Sequence, residues 1–418
     1  MQSDKYDKLR FRLGLHLSTF DTINHHAHQR HRAALAPFFA RQRILNYSPE
    51  IQVRADTLAD ILLSEYAGKG KIANMNEAFG AYTADAITWY AMAHPFDYLR
   101  YPDFVAPYTS AIVKLAKSVH AAVHFPWILP LVQALPHSLV RKINPPMGDI
   151  LDFQKDVRKQ VSKVVSGENS GNKNVSHRTV FHELLNSDSK GTDFSLELLE
   201  HEALGLLGGG IETTKNTLSV ATYHVLANPS IHARLRAELE EAIPDPNAPI
   251  SLLAIEKLPY LNAVIQEGLR LSYGIPQRSP RINNIDAVHY KGYAIPPGTP
   301  VGMSTYLQLR HPDVFPNPDV FDPERWTPVA DADGVLQPAK APNGNLVSKY
   351  QVTFSKGARM CVGMNLAMAE IQIGFATLFR RVDGMRLFET DRKDVDMAAE
   401  YLSGHPVEES KGVRVIID

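Results

Sequence analysis

Phe354-Ser355-Lys356-Gly357-Ala358-Arg359-Met360-Cys361-Val362-Gly363 sets the only cysteine of the chain between two glycines, just ahead of a run from Met364 to Phe379 with helical apolar spacing. A loop of this kind can present a ligand. Glycines at 357 and 363 let the backbone turn tightly and approach a flat group, and a following helix N-terminus together with Arg359 favours a thiolate over a thiol. Taken alone, a single thiol is more often a buried structural group, so the surrounding chain has to decide.

That chain has 418 residues, 44% hydrophobic and 21% charged, a globular composition long enough to enclose a cofactor-sized cavity. With 44 Lys plus Arg against 45 Asp plus Glu, the formal net charge is -1, and no global field draws it to nucleic acid or acidic lipid. One cysteine allows no intrachain disulfide and no multi-thiolate zinc or iron–sulfur site. The opening MQSDKYDKLRFRLGL lacks the pattern of a secretory signal. The longest apolar run, Ala121 to Leu135, is broken by His124, Pro126 and Pro130 and is shorter than the roughly 20 residues that span a bilayer. No transmembrane helix is expected.

Outward from the cysteine loop the pattern is mainly helical. Apolar spacings of three and four run from Arg30 to about Phe194, with an exposed loop expected over 166–176, where SGENSGNKNVS has turn chemistry. Residues 195–227 read as one long helix ended by Asn228-Pro229. Its middle holds Gly208, Gly209 and Gly210, which cost about 3 kcal/mol in a helix interior unless a bulky ligand needs the space. Helices are also expected from Arg234 to Ile243 and from Pro259 to Leu271. Twelve of the 28 prolines then fall between Pro276 and Pro342, among β-like runs such as AVHYKGYAI and VGMSTYL, and KGVRVIID closes the chain as a strand.

The cysteine loop matches FxxGxRxCxG at every fixed position, and on that motif the chain resembles a cytochrome P450. The resemblance implies a mainly α fold with small β-sheets, spread over 1–418 as a single domain. It makes Cys361 the proximal thiolate on the iron of haem b, and pairs Arg359 with a haem propionate. Gly209-Gly210-Ile211-Glu212-Thr213-Thr214 is similar to the family's [AG]-G-x-[DE]-T-T on the distal side. There Gly210 would face the haem, Thr213 would hydrogen-bond oxygen at the iron and Glu212 would relay protons to it.

Two further signatures follow in the family's order. Glu267-Gly268-Leu269-Arg270 is similar to ExxR, and Phe321-Asp322-Pro323-Glu324-Arg325-Trp326 to the PxR[FW] segment. Together they imply that Glu267 is shared by the guanidiniums of Arg270 and Arg325, which lock the proline-rich coil behind the cysteine loop. His28-Gln29-Arg30-His31-Arg32 falls where the family has WxxxR, so Arg32 would bind a propionate with His28 in place of tryptophan. Arg281 would be another propionate ligand, with Arg278 as the fallback, and Phe354 would flank the haem. The cluster His25, His26, His28 and His31 lacks a carboxylate partner and is read as solvated or haem-adjacent rather than as a metal site.

The resemblance implies a monooxygenase that inserts one atom of O2 into a hydrophobic small molecule. No nucleotide-binding fingerprint is present, so electrons from NADPH would arrive through a separate reductase, docked near Arg30, Arg41, Arg43 and Lys356. Substrate contacts are expected from Leu206, Leu207, the turn 274–277 and the segment 401–404. FPWILPLVQALP and HRAALAPFF resemble fungal microsomal members of secondary metabolism, terpenoid oxygenases such as trichodiene oxygenase among them. That implies the cytosolic face of the endoplasmic reticulum, and the run from Ala121 reads either as a membrane-facing mouth or as a core helix. A monomer without nucleic-acid partners is expected. The usual anchor, hinge and part of the first β-sheet are missing from the start, so an N-terminally incomplete chain is expected. Two alternatives remain open: an incomplete, non-catalytic chain, and an enzyme that rearranges or dehydrates its substrate without activating O2.

Overall fold

The computed structural model describes residues 3–168, 179–186 and 194–418. The helices are α1 (His25–Leu35), α2 (Arg41–Ile61), α3 (Met75–Met92), α4 (Pro107–His124), α5 (Ile128–Gln133), α6 (His137–Ile143) and α7 (Pro145–Val165). They continue with α8 (Val180–Asn186), α9 (Leu196–Leu226), α10 (Pro229–Ala242), α11 (Leu252–Ile255), α12 (Pro259–Ser272), α13 (Thr305–Leu309) and α14 (Met364–Arg381). Most of the loop expected at 166–176 lies outside the described residues.

Local chemistry sets the long helices. The Ser195 hydroxyl accepts the Leu198 N–H at 3.2 Å and starts α9. α9 stops ahead of Asn228, whose side chain caps α10 with Pro229 in its first turn. α3 is buried along nearly its whole length, from Met75 and Phe79 through Tyr82 and Ile87 to Tyr90, as befits a helix apolar on all sides. It packs against α9 and α2, while α14 packs against α2 and α9.

The sheets are small and antiparallel. β1 (Asp4–Lys5), β3 (Arg281–Ile282) and β6 (Pro300–Val301) form one, separate from β2 (Ala73–Asn74), with Lys5 opposite Arg281 and Arg281 opposite Val301. β4 (Val288–Tyr290) and β5 (Tyr293–Ile295) make a hairpin, as do β7 (Val329–Ala330) and β8 (Leu336–Gln337). β9 (Met385–Leu387) joins the β2 sheet, and β10 (Ala399–Tyr401) turns at Leu402 into β11 (Ser403–His405). β12 (Arg414–Ile417) is the C-terminal strand and lies between β2 and β9.

Two local expectations change. VGMSTYL is strand only at its start, because Thr305 begins α13. The apolar run from Ala121 is not a core helix: Phe125, Trp127 and Leu131 are exposed, as are Leu139 and Ile143 beyond it. Among the described residues no helix is long and apolar enough to cross a membrane.

Candidate functional site

Cys361 closes the tight loop expected of its sequence. Its N–H donates to Phe354 O at 2.9 Å, and Ser355 N–H donates to Val352 O at 2.7 Å. Gly357 sits at φ +77°, where a side chain would be strained. Gly363 differs from expectation: with φ −86° it caps α14, and what it contributes is open space where a Cβ would stand.

The thiol has accessible surface, yet burial is the main influence raising its pKa. Both hold together if the sulfur faces a space inside the molecule. Two effects oppose burial: the Gly363 backbone N–H, and the charge of Arg32. The expectation that Arg359 favours the thiolate is thereby corrected, since Arg359 is turned elsewhere, donating to Thr22 O at 2.6 Å and Ile23 O at 2.7 Å.

Beside the loop is a concentration of positive charge. Arg32, on α1, donates to Met360 O at 2.6 Å. Arg359 is pushed down to about 10, by burial first and then by Arg281. Burial, Arg359, Lys5 and Arg32 together bring His28 down to about 3. Lys5 is lowered well below the usual lysine range by burial, and then by Arg12, with Arg359 and Arg281 adding to it. The acid deepest among them is Asp21, 3.4 Å from Arg12, and burial raises its own pKa. Cations collected out of water this way suit an anionic guest. Arg359 Nε and His28 Nδ1 are buried without a partner, which leaves donors for it. Arg281 belongs to this group, although its own guanidinium bonds Ser279 O at 2.7 Å, whereas Arg278 is exposed. Phe354 is partly buried against the core.

On α9, a Cβ on Gly208 or Gly209 would meet nothing within 4 Å, so these glycines border open space. Gly210 does not: its Cβ would stand 3.3 Å from Ile87 Cγ1, and the missing side chain serves packing against α3. The expected haem contact of Gly210 is corrected to helix packing. Thr213 is half-buried and donates to Gly209 O at 2.7 Å. Glu212 is buried and lies close to Lys215, Oε2 to Nζ 2.5 Å, an ion pair whose geometry gives Oε2 no aligned hydrogen bond.

Glu267 and Arg270, both 0% exposed, form a forked pair at 2.8 and 2.7 Å. The remaining Arg270 donors reach Leu309 O, Pro318 O and Val320 O, which ties the coil to α12. Glu267 also accepts the Asp322 N–H at 2.9 Å and the Trp326 indole N–H at 2.8 Å. Arg325 stands 3.4 Å from Glu267 with its Nε unaligned, so the second hydrogen-bond partner from this segment is Trp326 rather than Arg325.

Sequence reasoning missed Lys5, Arg12, Asp21, Lys215 and Trp326. The basic spacing of KYDKLRFR was the available signal for the first two. Of the proposed docking cations, Arg41 is paired with Glu256 and Arg43 with Glu183, while Arg30 and Lys356 are exposed and without an ion pair among the described residues. A separate cavity of about 170 Å³ is lined by His224, Tyr273, Tyr306, Arg310 and Arg392, away from the thiol.

Comparison with known proteins agrees with this arrangement. The Cytochrome P450 family model matches residues 13–399. A protein named cytochrome P450 monooxygenase orf3, from Eupenicillium brefeldianum, is 41% identical over 99% of this chain and 79% of its own length. Tryptophan 6-hydroxylase fscE from Fusarium equiseti is 35% identical over 99% of this chain and 78% of its own. The crystal structure of the cytochrome P450DA heme domain superposes with a TM-score of 0.75 at 17% identity, covering 100% of this chain and 84% of that one. A glycine-flanked thiol, a group of buried cations beside it and a matching family model lead to one assignment: the chain belongs to the cytochrome P450 family, the haem-thiolate monooxygenases.

Proposed function

We infer that this chain is one haem-binding domain that oxygenates a hydrophobic small molecule in fungal secondary metabolism. The observation that carries the reading is the Cys361 thiol in its glycine-flanked loop, beside the buried cations Lys5 and Arg12 and the half-buried Arg359, which outnumber the buried Asp21 among them. Terpenoids are one substrate class to screen, and the Fusarium relative named as a tryptophan 6-hydroxylase makes aromatic amino acids another.

Cys361 would hold the iron as a thiolate, the form that the Gly363 N–H and Arg32 favour. Arg32, Arg281, Arg359 and His28 would hold the two carboxylates of the haem. When bound, the haem supplies O2 activation at an iron whose thiolate ligand favours O–O cleavage. Gly208 and Gly209 would leave room for substrate beside α9. Thr213 holds a proton at Oγ1, and Glu212, the next residue on α9, passes protons to it. Glu267, Arg270 and Arg325 serve structure, not chemistry.

Electrons would come from NADPH through a separate reductase, with Arg30 and Lys356 as the free cations for an acidic partner. The exposed Phe125, Trp127 and Leu131 support peripheral contact with the endoplasmic reticulum membrane on its cytosolic face, by a monomer.

The test is the carbon monoxide difference spectrum of the reduced, haem-loaded protein. A strongly red-shifted Soret band that Cys361→Ala abolishes is expected. The band of a neutral ligand, or no haem uptake by the native chain, overturns the reading.

A further inference from the structure

The cavity between α9, the end of α12, α13 and the segment 392–397 holds none of the residues assigned to haem. At about 170 Å³ it has the size of a single ring, since a cavity of about 150 Å³ holds one benzene molecule. Buried Val220 and Leu271 give it an apolar wall. Asp319, Arg392 and Asp396 also line it and are exposed, so it reaches solvent on their side.

The charges of the lining are matched. Arg310 pairs with Asp319, and its Nη1 donates to the Tyr273 hydroxyl at 3.1 Å. Arg392 holds Asp396 with two arms, Nε to Oδ2 at 2.9 Å and Nη2 to Oδ1 at 3.2 Å. Two guanidiniums are balanced by two carboxylates, and a charged guest finds its counter-charge already taken.

Two neutral polar groups are not matched. His224, on α9, is 9% exposed, lines the cavity and makes no hydrogen bond among the described residues. Its ring is stacked on Phe321, centroids 4.8 Å apart and planes within 10°, which fixes its orientation. Burial, then Arg392 and Arg270, bring its pKa down to about 3, and a neutral imidazole carries one donor and one acceptor. The Tyr306 hydroxyl, on α13, likewise has no hydrogen bond among the described residues, and the Tyr306 ring lies 4.9 Å from that of Tyr273. A polar group kept from water without a partner is costly, and a guest that supplies the partner removes the cost.

We propose that this cavity is a second small-molecule site, separate from the haem side, and that it takes a compact neutral ring bearing a hydroxyl, of which a small phenol is the type. A hydroxyl both donates and accepts, so one group answers the free nitrogen of His224 and the O–H of Tyr306. The ring of the guest fills the space against Val220, Leu271 and the two tyrosines. The site needs neither Cys361 nor haem.

The test uses para-fluorophenol on the holoenzyme in its diamagnetic reduced carbon monoxide form. The His224 ring resonance is assigned by its loss in His224→Gln or by its Overhauser contact with Phe321. Titration is expected to shift that resonance saturably, with a fluorine–proton Overhauser contact to the ring that marks direct binding. Fluorobenzene, the same ring without the hydroxyl, is expected to bind about tenfold more weakly, and para-fluorobenzoate more weakly still. Tyr306→Phe keeps the ring and should weaken para-fluorophenol about tenfold while leaving fluorobenzene unchanged. A His224 ring that does not respond means that the cavity holds water alone, and overturns the proposal. Equal binding of the two neutral probes makes it an unselective apolar space, tighter binding of the benzoate makes it an anion site, and either result overturns the proposal too. The probe comparison is made on the native chain, so it decides the matter even where Tyr306→Phe does not fold.

Discussion

The indole N–H of Trp326 donates to Glu267 Oε2 at 2.8 Å, the same oxygen that Arg270 Nε reaches at 2.8 Å. A buried carboxylate thus spends its lone pairs on a guanidinium fork, a backbone N–H and an indole, which joins α12 to the segment 322–326, while the same guanidinium reaches Leu309 O. Charge at this depth is tolerable only because each donor and acceptor is matched.

Breaking the match has a graded cost. Trp326→Phe keeps the ring and removes one hydrogen bond from a buried charge, and should destabilise the protein by about 1–3 kcal/mol. Glu267→Gln leaves the Arg270 guanidinium buried without its counter-charge, and should cost about 3–5 kcal/mol. Urea unfolding monitored by circular dichroism checks the order; equal losses for the two variants would mean that the indole bond is as important as the ion pair.

The three consecutive glycines of α9 should respond differently to alanine. Gly209→Ala adds a methyl group to open space and removes a helix penalty of about 1 kcal/mol, so the haem-free protein gains stability while the open space beside α9 shrinks. Gly210→Ala puts its methyl 3.3 Å from Ile87 Cγ1, and gains stability only if Ile87 gives way. Ile87→Ala should therefore improve Gly210→Ala and leave the benefit of Gly209→Ala unchanged. Thermal unfolding of the two double variants reads this directly.

The contrast between those glycines shows what the sequence could and could not tell. Three glycines in a helix announce missing side chains, and the FxxGxRxCxG, ExxR and ETT patterns announce a family, because each has a fixed spacing along one segment. Which glycine faces Ile87 depends on how α3 crosses α9, and that crossing is set by residues more than a hundred positions apart. Arg325 was named for the Glu267 hub because its motif is local, while Trp326 is its neighbour and wins the hydrogen bond through the turn of the backbone at 323–326. Lys5 and Arg12 lie in an opening stretch whose basic spacing does not say which residues they will meet. Their role appears when β1 pairs with β3 and carries Lys5 beside Arg281.

That pairing is itself unfavourable, since like charges directly opposite on antiparallel strands repel. Lys5 is 5% exposed, so water screens the repulsion poorly. Lys5→Met should raise the thermal midpoint of the haem-free protein and, in the same protein, weaken haem binding about tenfold, a loss of about 1.4 kcal/mol. Haem titration should also show that the dimethyl ester of haem, which has no carboxylates, binds native protein and Lys5→Met alike. A purely structural lysine would lower stability and leave the discrimination between haem and its ester unchanged.

The segment leading into α1 is held to α9 by a group that titrates near neutrality. Glu202 Oε1 accepts the Thr19 N–H at 2.7 Å and the Thr19 hydroxyl at 2.6 Å, and burial raises its pKa from 4.5 to about 7 against those two hydrogen bonds. Between those values the folded chain binds the proton that the unfolded chain releases, so stability is greatest below about 4.5 and declines as pH climbs to about 7. The residue is 4% exposed, and the shift corresponds to a loss on the order of 3 kcal/mol across that window. Glu202→Gln keeps a carbonyl oxygen for Thr19 and has no charge to bury, so its stability relative to the native chain should improve as the pH rises from 5 to 8. Urea unfolding of both proteins at the two pH values measures the difference. The same loosening should be visible locally as faster amide exchange at Thr19 above pH 7 in the native chain alone. A stability difference that does not change with pH would show that Glu202 stays charged at both ends of the range, and that Thr19 is held by an ordinary carboxylate.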